Sequence, residues 1–203
     1  MTGPQQDADR HKAKMAKRKA HQDAEVAGKS IARGVLMVHT GAGKGKSTAA
    51  FGLVLRALGH GRKVAVVQFG KGAWETGERR AVARFGDQVI WETLGEGFTW
   101  ETQDRDRDVA AAERAWARAQ ELMADEGISL VVLDELNIAL RYDHLPVGEV
   151  VEALKARRPE LTVVVTGRNA KAELVEAADL VTEMSLVKHH FKAGFKAQEG
   201  IEY

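Results

Sequence analysis

The sequence predicts an α/β fold, a mostly parallel sheet flanked by helices, and three observations carry that expectation. The apolar run Val35-Leu36-Met37-Val38 passes through a glycine-rich turn into the helical stretch 49–55. Downstream, β-branched apolar runs alternate with stretches of helical spacing, the order that a parallel sheet covered on both faces requires. One of those runs, Ser129-Leu130-Val131-Val132-Leu133, ends in the acids Asp134-Glu135. Strand C-terminal ends are where open α/β sheets bind ligands.

In chain order, residues 1–30 read as a basic N-terminal extension and 31–203 as one α/β domain. Arg10, Lys12, Lys14, Lys17, Arg18 and Lys19 stand close together with Asp9 the only acid beside them. Few apolar anchors and no aromatics interrupt that run, so it reads as a solvated tail or helix; contact with a polyanion is the other reading. The helix after the glycine-rich turn should stop near Gly59-His60-Gly61, before the buried strand 63–69. A helix over 76–85 and a short strand over 89–94 follow. Segment 104–126 places Ala111, Ala115, Ala119, Leu122 and Met123 on one helical stripe, with Trp116 packing nearby. A strand over 128–133, a helix over 146–157 opened by Pro146, and a strand over 161–166 ending at Gly167 come next. A last helix and short strand fall within 169–184.

A chain of 203 residues fits one core and buries about 70% of the surface its unfolded form exposes. With 44% hydrophobic residues and no apolar run near the ~20 residues a bilayer span needs, a soluble protein is expected, with no membrane partner. The polar N-terminus has no apolar signal core, and zero cysteines exclude disulfides, thiolate metal sites and a cysteine nucleophile. A cytoplasmic location fits both. The net charge of +1 points to no partner class.

The turn Thr40-Gly41-Ala42-Gly43-Lys44-Gly45-Lys46-Ser47-Thr48 carries the first chemistry. Alternating glycines are expected to take positive φ and turn backbone N–H groups inward, while the following helix adds its N-terminal donors and partial positive charge. A polyphosphate suits such a nest. Lys46 is expected to reach phosphate oxygens as a mobile point charge, and the Ser47 hydroxyl to help hold magnesium. The usual spacing G-x-x-x-x-G-K-[ST] asks for glycine at position 40, where Thr40 stands. Gly41 is only four residues before Gly45, so the loop is tighter or enters at a different angle. The expected ligand is a nucleoside triphosphate.

Asp134 or Glu135 is the expected partner of Ser47 in holding magnesium, a hard cation commonly bound by one or two carboxylates together with substrate phosphates. A third feature is Gly95-Glu96-Gly97-Phe98-Thr99-Trp100. In an extended segment Phe98 and Trp100 point the same way and form a flat apolar wall. Core packing is the ordinary fate of such a pair; the glycine-rich, polar setting favours a loop. His144, His189 and His190 are expected in solvent or core roles and not as metal ligands.

Four blocks together resemble the ATP:corrinoid adenosyltransferases of cobalamin biosynthesis and salvage. They are 41–47, the Gly-Glu-Gly-Phe-Thr-Trp-Glu-Thr block at 95–102, Asp134-Glu135-Leu136-Asn137, and the ending 192–203. The likeness runs from about residue 30 to the C-terminus, and the second and fourth blocks are its most specific parts. Ala42 stands where the family often has asparagine and Ser47 where it often has threonine. The resemblance implies a P-loop NTPase-like, RecA-like fold and transfer of the 5′-deoxyadenosyl group of ATP to the Co(I) of a reduced corrinoid, releasing triphosphate. It implies binding of ATP, Mg2+ and corrinoid by Thr40 to Thr48, Phe98 and Trp100, with Lys46, Phe98 and Trp100 in catalytic roles. Ser47, Asp134 and Glu135 are the implied metal set. It further implies that ATP lies opposite to its usual direction in such loops, the loop gripping the terminal phosphate. The resemblance also implies that Phe98 and Trp100 pack under the corrin and displace its lower axial ligand. A homodimer and an electron donor such as a flavoprotein reductase are the implied partners. Independently of the resemblance, Arg168 and Asn169 follow the strand that ends at Gly167 and are expected at the crevice, touching nucleotide or corrin side chains.

A P-loop ATPase acting on nucleic acid is the alternative, with the segment 12–19 gripping phosphates. It gives no role to Phe98 and Trp100. A non-catalytic corrinoid carrier is a third reading, indifferent to ATP.

Overall fold

The computed structural model of the chain describes residues 4–70, 76–95 and 104–202. They divide into two compact units, residues 1–32 and 33–203. The first is one helix, α1 (Pro4–Ala27). Its residues with described side chains are exposed throughout, as a helix dominated by charged and polar residues, with Met15 and Val26 its only large apolar side chains, requires.

Among the described residues, the second unit holds six parallel strands: β1 (Leu36–Thr40), β2 (Lys63–Gln68), β3 (Val89–Thr93), β4 (Ile128–Asp134), β5 (Thr162–Thr166) and β6 (Leu180–Glu183). Their order across the sheet is β3-β2-β4-β5-β1-β6. The helices are α2 (Lys46–Gly59), α3 (Gly77–Val82), α4 (Arg105–Ala124), α5 (Leu136–Arg141), α6 (Val147–Lys155) and α7 (Ala172–Ala177). The parallel sheet flanked by helices that the sequence predicts is therefore present. Among the described residues, no helix is long and apolar enough to cross a membrane.

Strand periodicity sorts the apolar residues into two cores, one per face. Val64, Val66, Leu130, Val132 and Val164 meet Phe51, Val54 and Leu58 of α2. Their neighbours Ala65, Val67, Val131, Leu133, Val163 and Val165 face the other way, onto Ala115, Trp116, Ala119 and Leu122 of α4 and Leu154 of α6. The alanine stripe of α4 lets that helix lie close to the sheet, and Trp116, 9% exposed, packs there. Asp104 caps α4 by accepting from Arg107 N at 3.2 Å. Pro146 is the residue before the first turn of α6 and not its first helical residue, a shift of one position from the expected start.

Because all six strands run the same way, the ends of β1, β2, β4 and β5 share one edge of the sheet. Thr40, Gln68, Asp134 and Thr166 are the last residues of those strands. Everything polar that the sequence marked in the described residues around the turn gathers at that edge.

Candidate active site

The nest forms between β1 and α2. Gly41 and Gly45 take positive φ, 96° and 105°, as expected. Gly43 does not, and the expectation for it is corrected: its requirement is space. A Cβ at Gly43 would lie 2.7 Å from the carbonyl oxygens of both Met184 and Ser185. The chain after β6 passes that close because Gly43 N donates to Met184 O (2.6 Å) while Met184 N donates to Thr40 O (2.9 Å). Gly45 precedes α2 with no side-chain cap, so the helix presents its N-terminal end to the loop.

Lys46 is the first residue of α2 and is 7% exposed. Its ammonium folds into the loop and donates to Gly41 O (2.9 Å) and Gly43 O (2.5 Å). Burial pushes its pKa below the usual lysine range; Glu135 opposes that shift and Arg168 adds to it. Both residues therefore act electrostatically on the lysine. Lys44 and Thr48 are exposed, as is Ala42. The Thr40 hydroxyl accepts from Ala170 N at 3.1 Å and so joins the end of β1 to the turn after β5.

One carboxylate organises the rest. Asp134 is fully buried, and its Oδ1 accepts from Ser47 Oγ (2.7 Å) and Thr166 Oγ1 (2.8 Å). Its Oδ2 accepts from Gln68 Nε2 (2.9 Å). Gln68 is oriented in turn, since its Oε1 accepts from Trp91 Nε1 (3.0 Å) and Thr93 Oγ1 (2.9 Å). Thr166 Oγ1 also accepts from Glu135 N at 3.0 Å. Four strand ends are thus linked through side chains to the helix that follows the loop.

Glu135 takes a left-handed backbone, φ 63°, at the start of α5. Non-glycine residues seldom adopt it, and such outliers collect at functional sites. The turn carries the carboxylate out of β4's line, beside Gly167, where a Cβ would stand 3.1 Å from Glu135 Oε2. Asn137 Nδ2 donates to Gly167 O at 3.0 Å, which fixes that turn from the other side. Asn169 has positive φ, and both it and Arg168 are exposed at the same edge.

Of the residues marked from sequence, the structure brings Gly41, Gly43, Gly45, Lys46, Ser47, Asp134 and Glu135 to one edge. Phe98 and Trp100 lie outside the described residues. His144 is buried, and its ring stacks on Tyr142 with centroids 5.9 Å apart; burial lowers its pKa. Sequence reasoning missed Gln68 and Thr166. Their signal was a single polar residue closing an apolar strand, the same signal that marked Asp134.

Comparison with known proteins identifies the family. The sequence model of ATP:corrinoid adenosyltransferase BtuR/CobO/CobP matches residues 32–203, and that of the cob(I)alamin adenosyltransferase N terminal matches residues 1–26. A corrinoid adenosyltransferase of Sinorhizobium sp is 57% identical over 98% of this chain and 94% of its own. One from Pseudomonas aeruginosa is 56% identical over 98% of each chain. The corrinoid adenosyltransferase CobA of Salmonella typhimurium is 46% identical over 96% of this chain and 98% of its own. With a family model matched from the first strand to the last residue and near-complete alignment to relatives of the same length, the chain belongs to the ATP:corrinoid adenosyltransferase family.

Proposed function

We propose that the chain transfers the 5′-deoxyadenosyl group of ATP to the Co(I) of a reduced corrinoid, releasing inorganic triphosphate, in adenosylcobalamin synthesis or salvage. Family membership supports the reaction. The observation that ties it to residues is the buried Lys46 ammonium lying inside a glycine nest at a helix N-terminus. That ammonium rests on backbone carbonyls and can turn onto phosphate oxygens, which are stronger acceptors.

Co(I) is itself the nucleophile, so the protein needs no general base or covalent side chain. Its part is positioning and electrostatics. The bond that breaks is C5′–O, and negative charge grows on the departing triphosphate. Lys44, Lys46 and the loop N–H groups are the donors assigned to it, a contribution of several kcal/mol for this kind of preorganised site. The Ser47 hydroxyl with the Asp134 and Glu135 carboxylates suits a hard divalent cation, and the contact between Ser47 Oγ and the buried Asp134 is the feature that fits it. Magnesium there would offset phosphate charge. Ser47 is assigned to direct ligation, because Asp134 already accepts three side-chain hydrogen bonds and acts through the hydroxyl.

Phe98 and Trp100 are assigned to the corrin face, where displacing the lower axial ligand raises the Co(II)/Co(I) potential. Cytoplasmic location, a homodimer and a flavoprotein electron donor belong to the same proposal. The test is to mix the protein, magnesium-ATP and chemically reduced corrinoid and watch for the absorption change of a cobalt–carbon bond. Its appearance only with ATP supports the reading. ATP hydrolysis that needs no corrinoid and rises with DNA or RNA would establish the ATPase alternative instead.

A further inference from the structure

The segment after β6 forms a strap that begins and ends at the phosphate loop. At its start Met184 is bonded to Thr40 and Gly43 through the backbone. It then turns through a short 3-10 helix, His190–Ala193, capped by His189. Near its end stands Glu202, whose Oε2 forms an ion pair with the Lys44 ammonium and whose Oε1 lies 2.7 Å from His190 Nε2. The Glu202 side chain is 15% exposed and that of Lys44 50%.

We propose that Glu202 is a latch on the phosphate loop: its carboxylate holds Lys44, and the triphosphate of an incoming nucleotide takes Lys44 over and releases the strap's end. The proposal rests on the reading of Lys44 as a phosphate contact.

The chemistry of exchange is simple. A carboxylate and a phosphate offer an ammonium the same kind of oxygen acceptor. Two anions converging on one ammonium repel each other, and the triphosphate carries the greater charge and has the loop N–H groups as well. Glu202 is the group that yields. His190 is on the strap itself, so its bond to Glu202 travels with the strap and does not hold it to the loop. Among the described residues, the strap's further ion pair with the rest of the domain is weak: Glu199 and Arg80 stand 3.9 Å apart with exposed side chains. The Lys44 hydrogen bond also keeps the Glu202 carboxyl below the ordinary carboxylate range, so it is charged and competent to compete at neutral pH.

The experiment is calorimetric titration of the full chain with inorganic triphosphate and magnesium, joined to limited trypsin digestion. E202Q should bind triphosphate about threefold to fivefold more tightly than the unmodified protein, the scale of one partly screened ion pair. E199Q removes the same charge from the same strap without touching Lys44 and should leave the affinity unchanged. In a K44A background, E202Q should add nothing. In the unmodified protein, saturating triphosphate should speed cleavage after Lys192 and Lys196, read by mass spectrometry. Weaker or unchanged binding in E202Q overturns the latch, as does equal tightening in E199Q. Should E202Q fold poorly, slower or unaltered cleavage of the unmodified strap overturns it alone. Separately, K44A binding triphosphate as well as the unmodified protein contradicts the phosphate reading of Lys44, on which the latch depends.

Discussion

The Ser47 hydroxyl donates to the buried Asp134 carboxylate at 2.7 Å, joining the first turn of α2 to the end of β4 across Thr166 of the intervening strand. One hydroxyl is thereby aimed by a charge that is itself fixed from three sides.

Asp134→Asn keeps the shape of that group and removes its charge. Activity should fall about tenfold to a hundredfold, the range found when the outer partner of a metal ligand is lost. The dependence on magnesium concentration should move upward in parallel, measured by initial rates at saturating ATP. Ser47→Thr preserves the hydroxyl and should retain most of the activity.

Gly43→Ala tests the close approach of the strap. Its new methyl would meet two backbone carbonyls, which cannot rotate aside as a flexible side chain can. Overpacking of this kind costs about 1–3 kcal/mol. Thermal unfolding should show that loss, and the KM for ATP should rise because the loop N–H groups shift with the backbone.

Asp179 supplies the pH prediction. It bonds Leu36 N at 2.9 Å at the start of β1 and pairs with the Arg33 guanidinium, which holds its carboxyl below the usual range; the Leu36 bond adds to that. A depressed folded-state pKa means that the unfolded chain takes up the proton first as pH falls. The stabilisation is complete above about pH 4 and fades as pH drops through the folded value. Asp179→Asn should lower Tm by about 2–4 °C at pH 7. The gap between variant and unmodified protein should close on acidification below pH 4.

The strands and the nest were legible in the sequence for physical reasons. β-branched runs such as Val64 to Val67 and Val163 to Val165 fit only a doubly covered strand, and glycine spacing marks a loop whose backbone must curl around an anion. What sequence alone did not yield depends on which strands are neighbours. Gln68 and Thr166 touch Asp134 because β2 and β5 flank β4, a fact of topology and not of local pattern. Glu202 meets Lys44 across 158 positions, beyond any periodicity. Gly43 shows the limit within a motif: the residue type was anticipated, but its reason was a passing backbone and not positive φ.

Trp100→Ala separates reduction from transfer. If the aromatic displaces the corrin's lower ligand, this variant should lose most of its activity when the substrate is supplied as Co(II) with a reductant. It should keep a larger share when supplied with chemically prepared Co(I). Equal rates to the unmodified protein in both assays would remove Trp100 from the reaction.

The most direct test of the central claim, that the loop grips a triphosphate which leaves intact, is the phosphorus product of a single turnover with magnesium-ATP and Co(I) corrinoid. One triphosphate should form for each cobalt–carbon bond, with no ADP, and Lys46→Ala should suppress both products by about a hundredfold or more. ADP with orthophosphate, formed whether or not corrinoid is present, would contradict that claim.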